Sequence, residues 1–252
     1  MFNNEEIFPG ASDSIGLNFW MSSVEDGNMS YNFGNYGEVL TNRKNFLESI
    51  GIESERLVLM RVRNNDNIRV LSDSEFRAGI AHKKSGVVAD AIMVSNSKYF
   101  LGLTPADCVP IVVFDRKNGI FALIHGSRFT ISHKVVYRVI KKMISDFGSI
   151  PAELLLLLGP SAKGKSLKHP KIFLPDDSHL KKWGKFILKT SDGQESYDPV
   201  GYTIDQFVHA GGLRKNAFES SIDTVTDKRA FSQYRNRNLP DGDNGRMLFV
   251  VN

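Results

Sequence analysis

Apolar positions in this chain fall into short continuous runs and into stretches with helical spacing. Two runs, 109–114 and 120–124, flank a polar break at 115–119 that contains Gly119. Short apolar runs about a glycine-containing break predict a β-hairpin. Further strand-like runs occupy 15–22, 29–33, 56–62, 67–71, 87–95, 99–103, 154–158 and 247–251. The runs 56–62 and 67–71 read as a pair about Asn64-Asn65-Asp66. Helical spacing of apolar residues covers 36–50, 131–147 and 200–209, the first and last followed by the natural stops Gly51 and Gly211-Gly212. Strands outnumber helices, and nothing between them reads as a linker. The expected fold is α+β, with mixed or antiparallel sheets and flanking helices, in one domain over 1–252 whose first fourteen residues are irregular.

Composition narrows the function classes. The chain has 252 residues, 41% hydrophobic and 24% charged, enough for a sizeable core. Its formal charge is +4, but the 32 basic residues are scattered and no recognition motif accompanies them, so no nucleic acid partner is expected. A single cysteine excludes an internal disulfide and fits a reducing compartment. The N-terminal stretch lacks the basic and apolar regions of a signal peptide, and no apolar run reaches the ~18 residues of a membrane span. A cytoplasmic protein without a membrane partner is the expectation.

The chemistry concentrates at the hairpin. Cys108 immediately precedes its first run, and His125 follows its second. If the loop spans 115–118, Cys108 falls opposite His125; if Asn118-Gly119 is a tight two-residue turn, His125 faces Val112 and leaves Cys108 behind. A thiolate beside an imidazole suits either a metal site or a nucleophilic pair. Residues 159–166, GPSAKGKS, match a phosphate-binding loop. Pro170 follows within four residues of Ser166, however, and leaves no room for the helix whose N-terminus such a loop needs. An ordinary exposed loop is expected there.

The motifs then resemble a known family. Ala89-Asp90-Ala91, the TPADCVP run from Thr104 to Pro110 and the strand reaching His125 are similar to the YfiH-like family, also called the laccase-domain or multicopper polyphenol oxidase family. Asn32-Phe33-Gly34, Asn42-Arg43, Leu158-Gly159-Pro160-Ser161, Asp223-Thr224, the run Phe231-Ser232-Gln233-Tyr234-Arg235 and Gly245-Arg246-Met247 resemble further elements of that family in the same order. The likeness covers about residues 15–251.

The resemblance implies a cysteine-hydrolase-like fold and a zinc-dependent purine nucleoside phosphorylase with adenosine deaminase activity. It assigns catalysis to Cys108 and His125, with Asp107 either orienting a ligand or capping a turn. It assigns zinc ligation to Cys108 and His125; Arg43 and Arg63 are the candidates for the phosphate anion, and Asn32 for a substrate contact. The expected substrates are a purine nucleoside and phosphate. The sequence departs from the family where the first zinc-ligating histidine should stand. Arg63 takes its place, and a guanidinium has no lone pair to offer a metal. The Trp-Arg-Gly that usually follows the His125 element is also replaced, by Arg128-Phe129-Thr130. His82 could supply a third ligand, whereas His133 and His209 look structural. The second reading is a catalytically degenerate member that binds a ligand or a protein.

Overall fold

The computed structural model describes the chain except residues 11–14, 66, 73, 76–85, 96–98, 170–181 and 238–243. His82 and the ambiguous stretch 72–84, in large part, therefore lie outside the described residues.

Two sheets stack face to face. The first runs β1 (Phe19–Met21), β13 (Phe249–Val251), β6 (Phe100–Leu103), β2 (Leu57–Arg61), β4 (Val87–Val88). The second runs β12 (Ala217–Glu219), β9 (Leu155–Leu158), β7 (Val109–Asp115), β8 (Ile120–Gly126), β5 (Ala91–Val94), β3 (Ile68–Val70). A small pair joins β10 (Ile187–Lys189) to β11 (Glu195–Tyr197). Both large sheets mix parallel and antiparallel neighbours.

Side-chain alternation explains the layering. Met21, Val58, Leu101 and Phe249 from one sheet meet Ile92, Val112, Leu123 and Leu157 from the other in a shared core. The opposite face of the second sheet, with Ile111, Ala122, Ile124 and Leu156, is covered by two helices. These are α4 (Val135–Phe147) and α5 (Pro199–His209). The outer face of the first sheet carries α2 (Tyr36–Ser49), through Phe46 and Leu47. The result is four layers, helix–sheet–sheet–helix. Strands β7, β8 and β9 are buried on both faces, which is why they read as unbroken apolar runs.

Several expectations are corrected by this arrangement. The runs 56–62 and 67–71 do not pair with each other. β2 lies beside β6 and β4 in the first sheet, and β3 lies beside β5 in the second, so the Asn64–Asn65 turn crosses between sheets. Run 87–95 splits at Ala89-Asp90 into β4 and β5, again one per sheet. Residues 29–33 form no strand. The helix read over 131–147 is two helices, α3 (Arg128–Ser132) and α4, separated where Lys134 takes a left-handed conformation at φ 56°. The N-terminal stretch, expected to be irregular, makes one helical turn, α1 (Asn4–Ile7), and buries Phe2, Ile7 and Phe8 against the inter-sheet core. An Asn3–Glu6 capping box supplies the local signal for that turn. A last short helix, α6, spans Gln233–Asn236. Among the described residues no helix is long and apolar enough to cross a membrane.

Candidate active site

The hairpin forms, in a register that neither sequence reading anticipated. His125 pairs with Pro110, and Asp115 with Ile120, leaving 116–119 as the loop. This is a two-residue shift from the register that would set Cys108 opposite His125. A shift of two keeps every side chain on its face, whereas a shift of one would reverse it. Cys108 and His125 therefore remain diagonal neighbours on the same side, within side-chain reach. Their side chains lie close enough to interact electrostatically.

On the other flank of β8, the Ala91↔Ile124 pairing continues so that Asp90 stands opposite His125, whose N–H donates to the Asp90 carbonyl at 2.8 Å. The Asp90 carboxylate is fully buried and lies 3.6 Å from His125 Nδ1. It accepts backbone N–H bonds from Arg63, Asn64 and Asn65 at 3.3, 3.0 and 2.8 Å. Burial raises the Asp90 pKa, but the His125 ring and these N–H donors outweigh it and hold the carboxyl below its ordinary range. For His125, burial opposes charge most strongly. The attraction of Cys108 and of the Asp90 carboxylate 3.6 Å away overcomes it and raises the ring to about 9. The arrangement favours an imidazolium set between a buried carboxylate and a half-exposed thiol. Asn64, at φ 54°, closes the turn around Asp90 and accepts a 2.7 Å bond from Ser127 Oγ, which also caps α3.

Asp107 sits at φ 75° and knits the TPADC turn to the C-terminal region. Its carboxylate accepts from Thr224 Oγ1 at 2.8 Å and from the Tyr234 N–H at 2.6 Å, and its carbonyl accepts from Ala162 N–H. Both carboxylate oxygens are thus engaged in holding the backbone beside Cys108.

Arg43, Arg63 and Asn32 come together. They line a cavity of about 670 Å³ with Tyr31, Arg61 and Thr104. Arg43 is tied through Nε and Nη2 to the Met29 carbonyl and lies 4.2 Å from the Tyr31 ring centre. Neither Cys108 nor His125 lines this cavity; Arg63 connects the two regions, its N–H on Asp90 and its side chain in the cavity wall.

Sequence reasoning quoted Asp90 and Arg246 within motifs but gave them no role. An aspartate inside an apolar run was a usable signal for Asp90. Arg246 lies within electrostatic reach of Cys108 and Asp107. Tyr197, on β11, also approaches; burial first, then Cys108, push its hydroxyl up to about 12. No local pattern marks Tyr197, because β11 reaches the site only through tertiary packing.

Two other sequence features resolve differently. Lys163 of the GPSAKGKS loop donates its ammonium to the Ser220 carbonyl at 2.6 Å, and Ser166 bonds Asp223. The loop latches chain segments together through Lys163 and Ser166, whereas the lysine of the phosphate-loop pattern is Lys165. For zinc, the described donors stop at Cys108 and His125. Among the described residues no three histidine, cysteine or carboxylate side chains gather closely enough to hold an ion. A catalytic zinc takes three protein ligands, so this donor set does not fit one.

A Corynebacterium glutamicum protein named purine nucleoside phosphorylase is 25% identical over 227 residues, covering 88% of this chain and 86% of its own length. A protein from an unknown prokaryotic organism, named adenosine deaminase RL5, is 29% identical over 126 residues, about half of each chain. Two solved structures share the fold. YlmD from Geobacillus stearothermophilus has a TM-score of 0.81 at 20% identity, covering 94% of this chain and 92% of that one. The Bacillus licheniformis hypothetical protein YfiH has a TM-score of 0.80 at 19% identity, covering 93% and 92%. The family model described as multi-copper polyphenol oxidoreductase laccase matches residues 21–252. The chain belongs to this family, the YfiH-like proteins.

Proposed function

We propose that this chain cleaves the N-glycosidic bond of purine nucleosides by phosphorolysis, and that the Asp90–His125–Cys108 row serves the base while the arginine-lined cavity serves phosphate. The observation that carries the reading is Arg63, which joins an imidazole raised to about 9 to a cavity bearing Arg43 and Arg61. Phosphorolysis needs an anion site and a way to stabilise the departing base. A phosphate oxygen forms a bond to C1′ of the ribose as the C1′–N bond to the purine breaks. The electron pair of that bond leaves with the base, which takes up a proton. His125, its pKa raised to about 9 beside the buried Asp90 carboxylate and Cys108, is placed to give that proton. The named relatives support the substrate class.

A second reading, ligand binding without turnover, is favoured by one observation: Arg63 stands where the family's first zinc-binding histidine belongs. The test is base release from inosine and adenosine by protein purified without chelator, with and without phosphate, alongside ammonia release from adenosine. Phosphate-dependent base release, lost in His125→Ala, supports phosphorolysis. Nucleoside binding with no base release supports the second reading. Ammonia release alone would move the chain to deamination.

A further inference from the structure

The segment 31–36 projects three aromatic rings beside the cavity, and they are not equivalent. Tyr31 lines the cavity, but its ring is already engaged by two neighbours. Arg43 lies 4.2 Å from its centre, and Tyr36 stacks on it at 4.9 Å and 25°. Phe33 follows the lining residue Asn32 and differs. Its ring is 45% exposed, and the Arg246 guanidinium covers one face at 3.8 Å from the centroid. Arg246 is itself fixed. It donates to the carbonyls of Asn244 and Gly245 at 2.5 and 2.9 Å and to Gln233 Oε1 at 2.6 Å, and it lies within electrostatic reach of Cys108. An exposed phenylalanine costs hydration free energy. This one is partly exposed, one residue from the cavity-lining Asn32, and lies on a guanidinium that is itself in electrostatic reach of Cys108.

We propose that Phe33 is the stacking platform for the substrate's purine ring, with Arg246 as the fixed backing that sets its plane. This rests on the proposed purine nucleoside substrate. Every base has a π-face and stacks on an aromatic ring regardless of its exocyclic groups. Phe33 therefore supplies base affinity without choosing between adenine and hypoxanthine. Phosphate, bound by the arginine-lined cavity, does not touch it.

The test is a kinetic and binding series on the full chain. Phe33→Ala is expected to raise KM and the calorimetric Kd for inosine and adenosine alike, by about ten-fold, the scale of losing one base–aromatic stack. KM for phosphate is expected to stay within about two-fold of its original value, because phosphate sits elsewhere. Phe33→Tyr should recover most of the affinity. Phe33→Leu, which keeps apolar area and lacks a π-face, should stay near Phe33→Ala. Unchanged nucleoside affinity in Phe33→Ala overturns the proposal, as does full recovery by Phe33→Leu or an equal rise in both KM values. If the wild type binds inosine without cleaving it, the proposed activity fails while the Kd series still decides the role of Phe33. If the wild type binds no nucleoside, both fail. Thermal melts that match across the variants exclude misfolding as the cause.

Discussion

Asp90 and His125 stand opposite one another across the β5–β8 pair, with the carboxylate 3.6 Å from Nδ1 and a backbone bond of 2.8 Å beneath them. The same carboxylate gathers the N–H groups of Arg63, Asn64 and Asn65. One buried charge therefore orients the histidine and holds the cavity wall. Asp90→Ala leaves those N–H groups and the imidazolium without their acceptor. It is expected to cost about 3 kcal/mol or more of stability, read as a lower urea midpoint with an unchanged slope. Its activity loss should match that of His125→Ala.

Cys108 keeps His125 charged without filling the core, since it is only half-buried. Cys108→Ser removes the sulfur beside the ring, one of the two groups that raise the His125 pKa. The expected result is a fall in kcat of about a hundred-fold, in the range of lost general acid catalysis, with a melting temperature close to wild type. A serine variant retaining full activity would remove Cys108 from the mechanism.

The His125 value sets the pH dependence. Its folded pKa of about 9 lies above the ordinary 6.5. The charged ring therefore contributes stability in full below about pH 6.5, and that contribution is lost as pH rises through about 9. Nucleoside cleavage should fall along the same alkaline limb if the imidazolium gives the proton. Base release and melting temperature measured from pH 6 to 10 check both, and Cys108→Ser should move the limb to lower pH.

Arg63 decides the metal question. Wild-type chain offers two donors among its described residues and is expected to lose zinc on dialysis. Arg63→His places an imidazole at a position whose backbone is already fixed by Asp90. Zinc content after dialysis should then rise towards one per chain. Stoichiometric zinc in the wild type would show that a third ligand exists outside the described residues.

Gly126 ends β8 next to His125 with no space for a side chain. A Cβ there would come within 2.6 Å of Ile111 Cδ1 and 2.7 Å of the Val109 carbonyl oxygen. Gly126→Ala forces the hairpin ends apart and should cost about 1–3 kcal/mol, seen in chemical unfolding, with a drop in activity larger than stability alone explains.

The sequence by itself determined the strands, the hairpin and the residue types of the site. Hydrophobic period is a local property, so the runs at 109–114 and 120–124 appear in the structure as β7 and β8 within a residue or two. The identity of Cys108, His125, Arg43, Arg63 and Asn32 as candidates was likewise readable from motif order. Tertiary structure alone decided which strands are neighbours. Apolar runs at 56–62 and 67–71 look like a local pair, yet each joins a different sheet, β2 beside β6 and β4 and β3 beside β5. The hairpin register is a sum over contacts with β9 and β5 as well as with its own loop, so it could not be read from the loop residues. Asp90 meets His125 through the β5–β8 pairing within one sheet, and Arg246 meets Phe33 between loops far apart in the chain; both contacts depend on the whole tertiary arrangement and leave no short-range signature.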